Sequence, residues 1–436
     1  MKFSRTGIST TAVAAIAVVV IIVVGAGAYL AASGSKTTTT VTSTSTTTAL
    51  STTTAVSTSV STSTSLSIST STSTASASTL SLGGTVNIAG STLVYPLMSA
   101  WTFAYGQVQS GVQVNYASVG SGAGITDITK QTVDVGASDA PLSATQYSAL
   151  PAGSTLVTIP ESISAVVPAY NLPGITNGLK FTGNVLAQIF LGNITQWNDP
   201  QIQALNPGAT LPAHTITVVH RSDGSGTMYA FTNFLTDSNA QWKSTVGYST
   251  NPSWPTGLGC KGNEGVAGCI ENTQYSIGPL EIAYAIQNPS LISWGAVQNA
   301  AGNYITATGC ASATNCTNST ISAAVTAGAS TGLPAGNAVW TPVSIINNIY
   351  NDTGATNAYP ITTFTYLVTY QAQKNLAQGE LVANFLWWAV NHAQTAGVPL
   401  GYIPLPSGVV TLDDTTIKSL TASGTSICTQ APSVCA

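Results

Sequence analysis

Charge is what this chain has least of. Of 436 residues, 10 are Lys or Arg and 14 are Asp or Glu. Charged side chains therefore make up 6% of the chain, against about a quarter in an ordinary globular protein. A formal net charge of −4 leaves no basic footprint, which excludes DNA and RNA as expected partners. Histidine is equally sparse. His214, His220 and His392 stand at no ligand spacing from any cysteine, and no CxxC occurs, so no metal site is expected. The turn DGSGT lacks the GK[ST] of a P-loop, and GSGAG is not GxGxxG. Nucleotides and other organic cofactors are therefore not expected either. No order of Ser, His and Asp speaks for nucleophilic catalysis, so the chain is not expected to be an enzyme.

What is present begins with a hydrophobic run from about Thr11 to Ala32, with Lys2 and Arg5 before it and Lys36 after it. At about 22 residues the run spans a bilayer of about 30 Å at about 1.5 Å per residue. The apolar core of a cleaved signal peptide is only about 7 to 15 residues long. Residues 1–32 are therefore expected to be a transmembrane anchor with the amino terminus inside and the rest outside. A leader cut among the small residues after Ala26 is the alternative. Residues 33–82 are almost all Ser and Thr without a hydrophobic period, which describes a disordered stalk.

The six cysteines fall into three sequence-local couples: Cys260 with Cys269, Cys310 with Cys316, and Cys428 with Cys435. Local pairing is one of 15 connectivities that six cysteines allow and is the first one to expect. The sequons at Asn193, Asn315, Asn318 and Asn351 are glycosylation candidates. Both features fit the extracellular face of the plasma membrane.

From residue 83 onward, β-rich runs alternate with helical segments, the pattern of an α/β fold. TVNIAG and VQVNYASVG read as strands, followed by helices in STLVYPLMSAWTFAYG and AGITDITKQ; TITVVHRS runs into GTMYAFTNFL in the same way. Three times a strand ends in small residues and a helix begins. The first N–H groups of a helix lack internal partners and carry about half a positive charge, which makes them anion sites. Ser91 and Thr92, Ser121, and Ser225 with Thr227 add hydroxyls at these three places. Arg221 is the only arginine after Arg5 and stands two residues before Asp223 inside the third turn. A chain this poor in charge that places its arginine there points to an anionic ligand.

Taken together, AGSTLVYPLMSAW, VNYASVGSGAGITDI, TVDVGASDAPLS, IFLGNITQWNDPQIQALNPGATLP, VVHRSDGSGTMYAFTNFL, WPTGLGCKGNEGV and AYPITTFTYLV resemble the phosphate-binding proteins of Pst-type ABC importers, a class II periplasmic-binding-protein family. The resemblance implies a two-lobed α/β fold with a hinge, lobe I at 83–167 and 358–425, lobe II at 168–357, and a tail at 426–436. It implies phosphate contacts from Thr92 (hydroxyl and N–H), Leu93 (N–H), Ser121, Asp139, Arg221, Ser225, Gly226 and Thr227, with Asp223 orienting Arg221. Its partners would be inorganic phosphate and the permease subunits of an importer, with the ectodomain monomeric. Leu93 replaces a common Phe, and residues 300–340 have no clear counterpart.

The chemistry suits these residue types. A guanidinium offers a rigid fork of donors matched to two phosphate oxygens. Asp139 would accept a hydrogen bond from the proton that phosphate keeps near neutral pH. Sulfate has no such proton and would leave that acceptor unpaired. Without the resemblance, Asp139 reads equally as a helix N-cap and Arg221–Asp223 as an internal ion pair. The run FLWWAV, residues 385–390, reads as a packed helix face, and His220 as a neighbour of the site. A phosphatase using Ser225 or Thr227 and a phosphate-sensing or adhesive surface module are the alternatives.

Overall fold

The computed structural model describes residues 81–312, 314–328, 332–340 and 345–436. The expected anchor at 1–32, and the stalk at 33–82 but for its last two residues, lie outside the described residues. Among the described residues no helix is long and apolar enough to cross a membrane.

Chain order sets out strand β1 (Gly84–Gly90), helix α1 (Tyr95–Val108), β2 (Val112–Ser118), α2 (Ser121–Thr129) and β3 (Val135–Ser138). The long β4 (Leu156–Asn171) follows, then β5 (Thr217–Arg221), α3 (Gly226–Ser238), β6 (Leu258–Cys260), α4 (Gly262–Asn272), β7 (Ser276–Glu281) and β8 (Ser293–Trp294). Strand β9 (Thr362–Tyr370) and helix α5 (Leu376–Asn391) complete the elements that matter here. The strands form one sheet in the order β2-β1-β3-β9-β4-β7-β5-β6, with β8 also paired to β4. This is the α/β arrangement expected from the alternation of strands and helices.

Strand β4 holds the sheet together. Its sequence LVTIPESISAVVPAYN is buried from Leu156 to Tyr170, the mark of a strand covered on both faces. Leu156–Ala165 pairs antiparallel with β9, and Val166–Asn171 pairs antiparallel with β7. One strand therefore serves two groups of strands, parallel β1–β2 and β1–β3 on one side and parallel β5–β6 and β5–β7 on the other. Opposite Thr365 and Tyr366 the register slips: Thr365 faces Ser162, Tyr366 faces Pro160, and Glu161 falls in the resulting bulge.

Helix α5 packs its 385–390 run inward, burying Phe385, Leu386, Ala389 and Val390. The Tyr105 ring of α1 meets Phe385 edge-on at 5.2 Å, and its hydroxyl donates to Asn384 Oδ1 at 2.7 Å. Each such buried aromatic contributes roughly 2 kcal/mol through area removed from water. The packed-face expectation for these aromatics holds.

All three sequence-local disulfides form: Cys260–Cys269, Cys310–Cys316 and Cys428–Cys435. The first ties β6 to α4. The third lies in the segment expected as a tail, which is packed: Ile427 and Val434 are fully buried, and Asn384 Nδ2 donates to Val434 O at 2.9 Å.

One helix boundary differs from expectation. The helix read from Ser91 starts at Tyr95, with Val94 as its N-cap accepting from the Met98 N–H at 2.9 Å and residues 91–93 outside the helix. The Ser91 hydroxyl is engaged elsewhere, with Asp139 and with the Leu93 N–H, so it caps nothing.

Candidate anion-binding site

Arg221 ends β5 with its side chain 1% exposed. A guanidinium cannot shed its charge, so burial demands a partner. Asp223 supplies it, accepting from Nε at 2.7 Å and from Nη2 at 2.5 Å. The Gly262 N–H at the start of α4 also donates to Asp223 Oδ1 at 3.1 Å. Burial pushes the Asp223 carboxyl up, but the hydrogen bonds and charge of Arg221 together with the Gly262 N–H outweigh it and hold it below the usual range. The ion pair is bidentate through Nε and Nη2 and fixes the plane of the fork.

Asp139 follows β3 and is 2% exposed. It is not a helix cap: the short helix Ala144–Ser148 is capped by Ser143, whose hydroxyl accepts from the Gln146 N–H at 3.2 Å. The Ser91 hydroxyl donates to Asp139 Oδ1, and the Ser121 hydroxyl to Oδ2 at 3.3 Å. Burial lifts the carboxyl to about 6 against the opposing pull of the Ser91 hydroxyl, the Arg221 charge, the Ser121 hydroxyl and the Thr227 N–H.

Local geometry delivers the remaining groups. Gly120, at φ +95°, turns the chain from β2 straight into α2, so Ser121 is the first helical residue and its hydroxyl has no capping task. That hydroxyl accepts from the Gly226 N–H of α3 at 3.1 Å, and Gly122 N–H donates to Gly224 O at 3.0 Å. The turns after β2 and β5 thus touch directly. A Cβ on Gly226 would lie 2.5 Å from Asp139 Cβ, so only glycine permits this approach. Ser225 caps α3, accepting from the Met228 N–H at 3.3 Å.

The structure brings together all eight residues that the sequence nominated as ligand contacts. Thr92, Leu93, Ser121, Asp139, Arg221, Ser225 and Thr227 are each no more than 2% exposed, and Gly226 is buried beside them. In this arrangement the Leu93 N–H donates to the Ser91 hydroxyl at 3.0 Å. His220 lies alongside, stacked on Trp254 at 4.8 Å with Nδ1 2.9 Å from Arg221 O, and burial lowers its pKa. It packs the strand.

Sequence reasoning missed several supporting groups. Tyr284 and Tyr402 donate to the carbonyls of Thr92 and Leu93 at 2.7 and 2.6 Å, and Tyr116 donates to Ser91 O. These three phenols pin the 91–93 turn. Asn263 reaches Thr92 and Thr227. Asn263 stands in the CKGNEG stretch, whose glycines were the available signal.

Such a cluster of N–H and hydroxyl groups beside an Asp223-paired guanidinium, with the Asp139 carboxylate among them, fits a small tetrahedral anion. A family model described as a PBP superfamily domain matches residues 31–392. The phosphate-binding protein PstS of Pasteurella multocida (strain Pm70) is 39% identical over 327 residues, 75% of this chain and 88% of that one. The chain belongs to the PstS phosphate-binding-protein family. PstS of Methanocaldococcus jannaschii is 31% identical over 338 residues, 74% of this chain and 83% of its own. Among solved structures, a phosphate-binding protein from Stenotrophomonas maltophilia matches with a TM-score of 0.57 at 19% identity, over 76% of this chain and 92% of that one. That likeness speaks to the PstS-type fold alone.

Proposed function

We propose that the chain captures inorganic phosphate and hands it to the permease subunits of a phosphate ABC importer. The observation that carries this is the buried Arg221, its fork oriented by Asp223, standing with the Asp139 carboxylate among three donor-rich turns. Arg221 and the hydroxyls of Thr92, Ser225 and Thr227 supply donors; the Ser121 hydroxyl and the Leu93 and Gly226 amides, here bonded to Asp139, Ser91 and Ser121, turn to the ion with the amides of Thr92 and Thr227 when it enters, and Asp139 accepts the phosphate proton. Charge-assisted hydrogen bonds are worth about 1.5 to 3 kcal/mol each, enough in combination to offset dehydration of the anion.

Residues 83–167 with 358–425 and residues 168–357 act as two lobes that close on the ion. The contact of Gly122 with Gly224 across the two lobes belongs to the closed state, and ligand favours that state because only it brings the groups of both lobes to the ion at once. The curated relatives are named as binding proteins, and the chain is a carrier, not an enzyme. Residues 1–32 anchor it, residues 33–82 space it from the membrane, and the ectodomain works as a monomer. Asn193, Asn315, Asn318 and Asn351 are all exposed and would bear glycans. Equilibrium dialysis of the detergent-solubilised full-length chain with labelled phosphate tests the proposal. Arg221→Ala should abolish retention and Arg221→Lys should weaken it by at least about a hundredfold; unchanged affinity in either contradicts it.

A further inference from the structure

Asn263 is fully buried at the start of α4, and its backbone N–H and both polar atoms of its side chain are engaged at the candidate site or beside it. Its backbone N–H donates to Thr92 Oγ1 at 3.0 Å and its side-chain Nδ2 donates to the same oxygen at 2.9 Å. Nδ2 also donates to Thr227 Oγ1 at 3.1 Å. Its Oδ1 accepts from the Glu281 N–H at 3.4 Å, and since a backbone N–H can only donate, the amide orientation follows.

A threonine hydroxyl has two acceptor lone pairs and a single proton to give. On Thr92 both lone pairs are taken by Asn263, so that hydroxyl has only its proton left to offer. On Thr227 one lone pair is taken in the same manner. We infer that Asn263 is a positioning residue for the anion: by filling both acceptor sites of Thr92 and one of Thr227 it leaves the Thr92 hydroxyl only a proton to offer the ligand, biases the Thr227 hydroxyl the same way, and joins the turn after β1 to the start of α3. The inference rests on the phosphate-binding function proposed above.

The closest test of orientation is Asn263→Asp. Its carboxylate would accept from Thr92 and Thr227, drawing both protons away from the ligand, and would add a like charge. Phosphate affinity relative to wild type should fall by at least about thirtyfold at pH 7. It should recover as pH drops through the carboxyl's range, because the protonated acid regains a donor. Asn263→Ala should lose about tenfold, with a ratio to wild type that does not change with pH. A purely structural role would lower the melting temperature of both variants and produce no pH-dependent recovery.

Calorimetry with inorganic phosphate from pH 4.5 to 7.5, alongside wild type and Arg221→Ala, reads all of this. Binding of either Asn263 variant within about threefold of wild type overturns the inference, as does an Asn263→Asp ratio that is flat with pH. Should the Asn263 variants not fold, the near-isosteric Thr92→Val and Thr227→Val decide: each must weaken phosphate by about tenfold, and unchanged affinity overturns the inference. If wild type itself binds no phosphate, the proposed function fails instead.

Discussion

At the scale of single residues, the proposed function makes selectivity rest on the protonation state of Asp139. Its carboxyl is lifted by burial to about 6, so at pH 7 it is an acceptor and below pH 6 it becomes a donor. A donor there no longer distinguishes phosphate from sulfate. Sulfate competition should therefore be negligible at pH 7 and should grow as pH falls to 5, whereas Asp139→Asn should admit sulfate across the whole range. Competition dialysis would show this, and negligible sulfate binding by Asp139→Asn would end the account of specificity. Arg221 was legible because arginine is so scarce that its placement carried information. Asn263 was not, since its partners lie 171 and 36 residues away and an asparagine in a Gly-rich turn has many local uses.

At the scale of elements, the site depends on how closely helix starts approach one another. Gly226 has Asp139 Cβ, Cα and N all within 2.7 Å of where a Cβ would sit. Gly226→Ala should push the start of α3 off the Asp139 turn and cost at least about tenfold in phosphate affinity. Calorimetry reads the affinity and small-angle scattering the widening; wild-type affinity would mean the turns need not meet. The strands and helices flanking the site were readable from hydrophobic period and small-residue turns. The start of α1 was misjudged because Ser91, a good cap by residue type, gives its hydroxyl to a carboxylate 48 residues away. Likewise, nothing in LVTIPESISAVVPAYN marks where pairing passes from β9 to β7, because both faces are covered throughout.

At the scale of the molecule, the few charges are distributed unusually, with carboxyls inside the fold. Glu161 and Glu281 are fully buried. Burial lifts Glu161 to about 8 despite the Thr365 hydroxyl, and Glu281 to about 8 despite the Ser164 hydroxyl, which donates to Oε1 at 2.6 Å. Asp413, also buried, is raised too. A raised folded-state pKa means that the contribution to stability is complete below about 4.5 and is lost as pH climbs through 8. His220, lowered by burial, works in the opposite direction, as does Asp223, but the Asp223 contribution is lost only at acid pH, below its ordinary carboxyl range. The phosphate-free protein should therefore melt at least about 5 °C higher at pH 5 than at pH 8, and Glu161→Gln should reduce the difference. A melting temperature that rises over that interval would refute the assignment. A low surface charge and neutral interior acids were visible in the sequence only as a shortage of ionisable residues; which of them are buried required the fold.

The most direct measurement is a calorimetric titration of the detergent-solubilised full-length chain with phosphate and, separately, with sulfate at pH 7. One phosphate per chain with a Kd of about 10 µM or tighter, and no heat from sulfate, is the predicted result. No phosphate binding, or sulfate bound equally well, would contradict it.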